Sequence, residues 1–220
     1  MSPENKKTVL VTDFDGTIIK KDFFYHIIDK YMSEEDIQPW NDYLAKKITH
    51  FDALNAIFQK LHLSLDELHK TILEIPVEDC FTELVDFCND NSVDIYVVSA
   101  GADYYINYIL ETMGIKDSVK LIANESTYAT EQGLNMTKLS GDSLFYSDNY
   151  GIDKEAVIKY LKTKYDLTIF AGDGNPDFKA ARLADVVFAR GTLKELCERN
   201  NVEFIELDSY CRIYDFIKTL

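Results

Sequence analysis

Residues 8–17 read Thr8-Val9-Leu10-Val11-Thr12-Asp13-Phe14-Asp15-Gly16-Thr17. The first five are apolar or β-branched without a break, which suits a strand buried on both faces, as in a parallel sheet. The run stops at two carboxylates one residue apart, followed by a glycine. Apolar runs of the same kind recur at 93–99, 167–171 and 186–189, with a weaker one at 202–207. Helical patterns separate them, over 77–91, 103–113, 154–163, 176–183 and 192–199. In the first of these the apolar positions are 77, 81, 84, 85 and 88, a helical stripe. Buried strands alternating with helices predict an α/β fold, a doubly wound parallel, Rossmann-like sheet with right-handed crossovers.

Two stretches break the alternation. Residues 20–75 hold helical patterns over 22–32, 35–47, 50–61 and 65–74 and no convincing strand. They read as an inserted α-helical cap, with the α/β core formed by 1–19 and 76–220 and Pro76 marking the return. Residues 124–150 are polar and contain Gly133 and Gly141, with short alternating pieces, and read as a β-hairpin or flap.

The 220-residue chain carries 23 basic and 38 acidic residues, a formal net charge of −15. A field of that sign repels nucleic acid and anionic membrane, so neither is an expected partner. An anionic substrate then needs a local positive site or a bound cation. No segment approaches the ~18 consecutive apolar residues of a membrane span, and the polar start, MSPENKK, lacks the apolar stretch of a signal peptide. The four cysteines, at 80, 88, 197 and 211, form no CxxC pair. Read as free thiols, with Cys80 and Cys88 packing on one helix face, they fit a reducing, cytoplasmic setting.

Ligands of open α/β sheets bind beyond the carboxyl ends of the strands. Three clusters follow buried runs there: Asp13-Phe14-Asp15-Gly16-Thr17, Ser99-Ala100-Gly101, and Gly172-Asp173-Gly174-Asn175-Pro176-Asp177. Singly, Asp173 or Asp177 is an ordinary helix cap and Ser99 a turn residue. Jointly, Asp13, Asp15, Asp173 and Asp177 on one edge repel one another unless a cation sits among them. Hard oxygen ligands point to Mg²⁺.

These segments resemble, in order, the first, second and fourth motifs of the haloacid dehalogenase-like phosphohydrolases. Lys154, in Gly151-Ile152-Asp153-Lys154, resembles the third. Within that superfamily the chain is most similar to the phosphoserine phosphatase-like branch, in particular its methylthio-ribulose salvage phosphatases and their fungal relatives. The resemblance implies a Mg²⁺-dependent phosphomonoesterase acting on a small phosphorylated metabolite. It implies Asp13 as nucleophile and Asp15 as general acid and base, with a raised pKa attributed to burial and neighbouring carboxylates. It places Mg²⁺ on Asp13, the Asp15 backbone carbonyl and Asp173, and has Asp177 bind the ion through water or orient Lys154. Ser99, the Ala100 or Gly101 amide and Lys154 would hold the phosphoryl oxygens. Asp22 matches a position that faces the substrate's amino group in phosphoserine phosphatases, or else merely starts a helix.

Asp15 favours ester hydrolysis over dehalogenation, whereas phosphomutase chemistry stays open on these motifs. A receiver-type phosphoacceptor module shares the residue types, but its acceptor follows a central strand of a shorter chain without a cap. The stretch Leu144–Tyr150 lacks the cysteines of the bacterial salvage enzymes, and Pro176 stands where phosphoserine phosphatases usually have Asn. The substrate itself is left open by these departures. Phe23, Phe24, Tyr25 and Trp40 read as cap core, Lys20 and Lys21 equally as solvated residues or phosphate ligands. His26, His50, His62 and His69 read as surface or half-buried cap residues, and Tyr104, Tyr105 and Tyr108 as a helix face against the sheet, with room for one of the three at the border of the pocket.

Overall fold

The computed structural model describes residues 6–220; residues 1–5, the start of the expected core domain, lie outside the described residues. Strand β1 (Thr8–Thr12) is followed by four helices, α1 (Phe23–Tyr31), α2 (Gln38–Leu44), α3 (His50–Phe58) and α4 (Leu65–Leu73). Then come α5 (Phe81–Asp90), β2 (Asp94–Ala102), α6 (Asp103–Thr112), β3 (Lys120–Ala129) and β4 (Gly133–Thr137). A small antiparallel ribbon, β5 (Tyr146–Ser147) and β6 (Gly151–Ile152), leads into α7 (Lys154–Leu161) and β7 (Leu167–Gly172). The chain ends with α8 (Phe178–Ala181), β8 (Val186–Ala189), α9 (Gly191–Arg199), β9 (Ile205–Glu206) and α10 (Tyr210–Ile217).

Seven strands form one sheet in the order β4-β3-β2-β1-β7-β8-β9, parallel except for β4. The expected α/β class is therefore the observed one. β1 is central because both its faces are apolar. Leu10 points into one core with Ile95, Val97 and Ile169. Val9 and Val11 point into the other with Val98, Val157 and Phe170. Burying each such side chain contributes about 1.5–3 kcal/mol, which leaves little freedom for β1 to occupy an edge.

The departures have local causes. The expected strand 93–99 continues to Ala102, its register with β3 shifting between Val98 and Ala102. The flap 124–150 contains a hairpin, but its first strand begins at Lys120 and pairs with β2 as well, so it is part of the main sheet. Helix 176–183 is split into a 3-10 turn at Asn175–Asp177 and the short α8. Helix 77–91 starts only at Phe81 because Ile19 and Val77 form an antiparallel bridge. Beside that bridge Lys20 N–H donates to the Pro76 carbonyl and Glu78 N–H to that of Ile18, both at 2.8 Å. The chain thus leaves β1 and returns to α5 through adjacent stretches, with α1–α4 between them.

The free-thiol reading is overturned for two cysteines. Cys80 precedes α5 with φ 64°, outside the helix, and is disulfide-bonded to Cys211 of α10. Cys88 and Cys197 are free and buried. A separation of 131 residues gives no sequence cue to the pairing, and the disulfide removes the thiol argument for a cytoplasmic setting. Closing so long a loop restricts the unfolded chain, so Cys211→Ser is expected to lower stability by about 2–4 kcal/mol, read from urea midpoints. Thiol titration of the denatured, unreduced protein should find two thiols; finding four would remove the bond from the account. Among the described residues no helix is long and apolar enough to cross a membrane.

Candidate active site

The carboxyl edge around β1 gathers the motif residues. Asp13 follows β1 and its N–H donates to the Ala171 carbonyl of β7 at 2.9 Å. Ser99, Ala100 and Gly101 lie within the irregular end of β2 rather than after it. Asp173 follows β7, and Lys154 opens α7. That helix starts there because the Asp153 carboxylate accepts Ala156 N–H at 3.1 Å, a side-chain cap.

Lys154 is the hub. Its Nζ lies 2.7 Å from Asp13 Oδ1 and 2.7 Å from Asp177 Oδ1, and all three side chains are nearly sealed from solvent. Asp177 is fixed in turn by accepting the backbone N–H of Asp173 at 3.0 Å and of Gly174 at 2.9 Å. Asp13 Oδ1 accepts the Phe14 N–H at 2.7 Å, and Thr17 donates its hydroxyl proton to Asp173 Oδ1 at 3.1 Å. Gly16 has φ +67°, and a Cβ there would stand 2.6 Å from Asp173 Oδ2. Only glycine lets the loop turn that close to the carboxylate.

The electrostatics are unbalanced by design of the fold. Asp13, Asp173 and Asp177 each bring a carboxylate oxygen to within 4.8 Å of the others, against one lysine. Burial holds the Asp13 carboxyl well above the usual carboxylate range, and Asp177 adds to this while Lys154 opposes it. Burial, then repulsion from Asp177, pushes Asp173 up to about 7. Three clustered hard oxygen donors with excess negative charge fit a divalent hard cation.

Asp15 has different surroundings. Its Oδ1 accepts the Phe23 N–H at 3.0 Å and its Oδ2 the Tyr105 hydroxyl at 2.5 Å. Burial raises its pKa, and these two donors hold the rise back. The raised direction and burial, the first of the two expected causes, agree with the expectation from sequence. Gly101 makes room for this arrangement, since a Cβ there would meet the Tyr105 hydroxyl at 1.9 Å. The Gly101 N–H donates to Ser99 Oγ at 2.9 Å.

Asp13, Asp15, Ser99, Gly101, Lys154 and Asp173 line a cavity of about 360 Å³ whose other side comes from α1, α2 and α3, while Asp177 is fully buried outside its lining. Asp22 lines it and also caps α1, accepting the Phe24 N–H at 2.7 Å. Burial and the nearby Asp15 raise its pKa well above the usual value. Phe23 and Phe24 are buried in the core with Trp40 packed against it, as their reading as cap core expects, with Phe23 stacked on Tyr105 at 4.3 Å; Phe24, Tyr25 and Trp40 in addition line the cavity. Lys20 and Lys21 stay outside it, paired with Asp79 at 3.0 Å and Asp29 at 2.7 Å.

The sequence does not single out two residues of the site, although it allows one of Tyr104, Tyr105 and Tyr108 at the pocket border. Tyr105 sits on the apolar stripe of α6, where a tyrosine reads as core, and nothing local shows that its hydroxyl reaches Asp15. His50 opens α3 and borders the cavity. Its only local signal is its place beside Thr49, the residue that caps α3.

Comparison with known proteins follows the same lines. The family described as "Putative Phosphatase" matches residues 8–204. The chain is 28% identical over 210 residues to the 2-hydroxy-3-keto-5-methylthiopentenyl-1-phosphate phosphatase of Bacillus cereus (strain ATCC 10987 / NRS 248), covering 94% of each. A substrate-bound phosphoserine phosphatase superposes with a TM-score of 0.68 at 19% identity, covering 97% of this chain and 99% of that one. A phospho-aspartyl intermediate analogue of phosphoserine phosphatase gives a TM-score of 0.67, again at 19% identity, covering 98% and 99%.

Proposed function

The chain belongs to the Putative Phosphatase family, a phosphatase group of the haloacid dehalogenase-like superfamily, and from that premise we propose that it hydrolyses a small phosphomonoester through an aspartyl-phosphate on Asp13. The observation that carries this reading is Lys154 Nζ held 2.7 Å from both Asp13 and the buried Asp177, with Asp13 and Lys154 lining a cavity shared with Asp15 and Ser99. The Bacillus cereus relative is named for a phosphorylated metabolite of this kind, which supports the substrate class.

An Asp13 carboxylate oxygen attacks phosphorus, and the bond to the leaving oxygen breaks. Asp15, whose pKa burial raises, gives its proton to that oxygen. The resulting acyl phosphate is attacked by water, whose proton passes to the Asp15 carboxylate. Phosphate departs and Asp13 is regenerated. Tyr105 and the Phe23 N–H orient the Asp15 carboxyl throughout. Lys154 supplies fixed positive charge to the phosphoryl oxygens. Because the Gly101 N–H is engaged by Ser99 Oγ, the remaining donors there are the Ser99 hydroxyl and the Ala100 amide. Segment 20–75 acts as the cap that excludes bulk water and contacts the leaving group.

Asp13 and Asp173 would hold Mg²⁺, with the Asp15 carbonyl, and Asp177 would steady both the ion and Lys154. When bound, the ion supplies charge neutralisation of the phosphoryl oxygens. With Mg²⁺ present the protein should release p-nitrophenol continuously from p-nitrophenyl phosphate, and EDTA should lower the rate at least about tenfold. Stoichiometric release alone, or full activity in chelator, contradicts the reading.

Stability gives a readout independent of turnover. The folded pKa of Asp173 lies above its unfolded value, so its contribution is complete below about pH 4. It is lost as pH rises through about 7. In EDTA the melting temperature should therefore be lower at pH 8 than at pH 5.5. Mg²⁺ should raise it more at pH 8, where the carboxylates are ionised. An equal gain at both pH values contradicts the assigned ligands.

A further inference from the structure

The helical wall of the cavity carries groups that the phosphoryl steps do not use. The His50 ring stands edge-on to Trp40, with centroids 5.7 Å apart at 71°, and to Tyr43, 5.3 Å apart at 83°. It tilts against Tyr150 at 5.1 Å. Its backbone N–H donates to Asn149 Oδ1 at 3.1 Å, and the Phe51 N–H to the Asn149 carbonyl at 2.8 Å. The ring is therefore placed from both sides. Its Nδ1 is buried and has no hydrogen-bond partner among the described residues. A buried polar atom left that way is costly unless a ligand group meets it. Burial, with Lys154 adding to it, lowers the pKa of His50 to about 4, so the ring is neutral at pH 7.

The same wall offers no positive charge. Among the described residues Lys154 is the one cationic side chain lining the cavity, and it already contacts two carboxylates. The carboxylate of a phosphorylated amino acid would be buried among Trp40, Tyr43 and Phe24 without a cation, an expensive placement. Asp22 does not alter this, because burial favours its neutral form.

We propose that His50 is a specificity residue: it hydrogen-bonds a polar group of an uncharged leaving group, so the site selects neutral phosphomonoesters over phosphorylated amino acids. The inference rests on the phosphomonoesterase reading above. It is tested with the full-length, Mg²⁺-loaded protein on phenyl phosphate, dihydroxyacetone phosphate and O-phosphoserine. Both neutral esters should exceed O-phosphoserine in kcat/KM by about 100-fold or more. In His50→Phe the ratio of kcat/KM for dihydroxyacetone phosphate to that for phenyl phosphate should fall about tenfold, mostly through KM. His50→Gln, which keeps a polar side chain, should recover part of the ratio and serves alone if the Phe variant does not fold. The inhibition constant of inorganic phosphate, which has no leaving group, reports the state of the phosphoryl site in each variant. A ratio unmoved in both folded variants, or O-phosphoserine as the preferred ester, overturns this inference alone. Release from none of the three esters overturns the phosphomonoesterase reading with it.

Discussion

Asp13→Asn is expected to lower turnover of any phosphomonoester by about 10³-fold or more, because it removes the atom that forms the covalent intermediate. The amide keeps the shape of the side chain and an oxygen for the Phe14 N–H, now 2.7 Å from Asp13 Oδ1. What it loses is a charge that the metal-free fold holds at a cost, since burial and Asp177 both disfavour ionised Asp13. Lys154 retains Asp177 at 2.7 Å and is not stranded. In EDTA at pH 7.5 the variant should therefore melt no lower than the wild type, while its activity collapses. That pairing separates a nucleophile from a structural carboxylate, whose loss would lower both together. A variant with near-normal turnover would remove Asp13 from the chemistry. One that is inactive but melts far lower would show that Asp13 holds the fold.

How much of this was readable beforehand depends on the distance over which each feature is encoded. β1 and its loop are local: an unbroken apolar run ending in Asp13-Phe14-Asp15-Gly16 determines both the buried strand and the carboxylates at its end. The parallel sheet follows from repetition of that pattern. Lys154 was placed by motif likeness, and its contacts with Asp13 and Asp177 come from segments 141 and 23 positions away. The features that were missed have no local signature. The Cys80–Cys211 bond joins residues that neither spacing nor context pairs. Tyr105 and Trp40 carry side chains that suit a core and a cavity wall equally, and only the packing of α1 on α6 and α2 on α3 decides between them. The helix expected from 77 starts only at Phe81 because the bridge between Ile19 and Val77 takes up the backbone that would open it.

Asp15→Asn should have an effect that depends on the leaving group, which makes it the sharper test of the two-step chemistry. Proton transfer by a positioned carboxyl commonly contributes about 10²–10⁴ in rate. An alkyl ester needs that proton to expel its alkoxide, so with dihydroxyacetone phosphate the first step itself should slow by that range. p-Nitrophenolate leaves without protonation, so with p-nitrophenyl phosphate Asp13 should still be phosphorylated. The second step then lacks the base that activates water, and acyl phosphate accumulates. Stopped-flow traces should show a burst of about one p-nitrophenol per active site, followed by a steady rate lower by about 10²–10³. The amide oxygen can still accept the Phe23 N–H, 3.0 Å from the native Oδ1, and the amide NH2 can donate to the oxygen of the Tyr105 hydroxyl, 2.5 Å from the native Oδ2. The loop therefore has no reason to move. Equal losses on both esters with no burst would mean that Asp15 positions the substrate rather than transferring protons, and the acid–base role would have to pass to another group in the cavity.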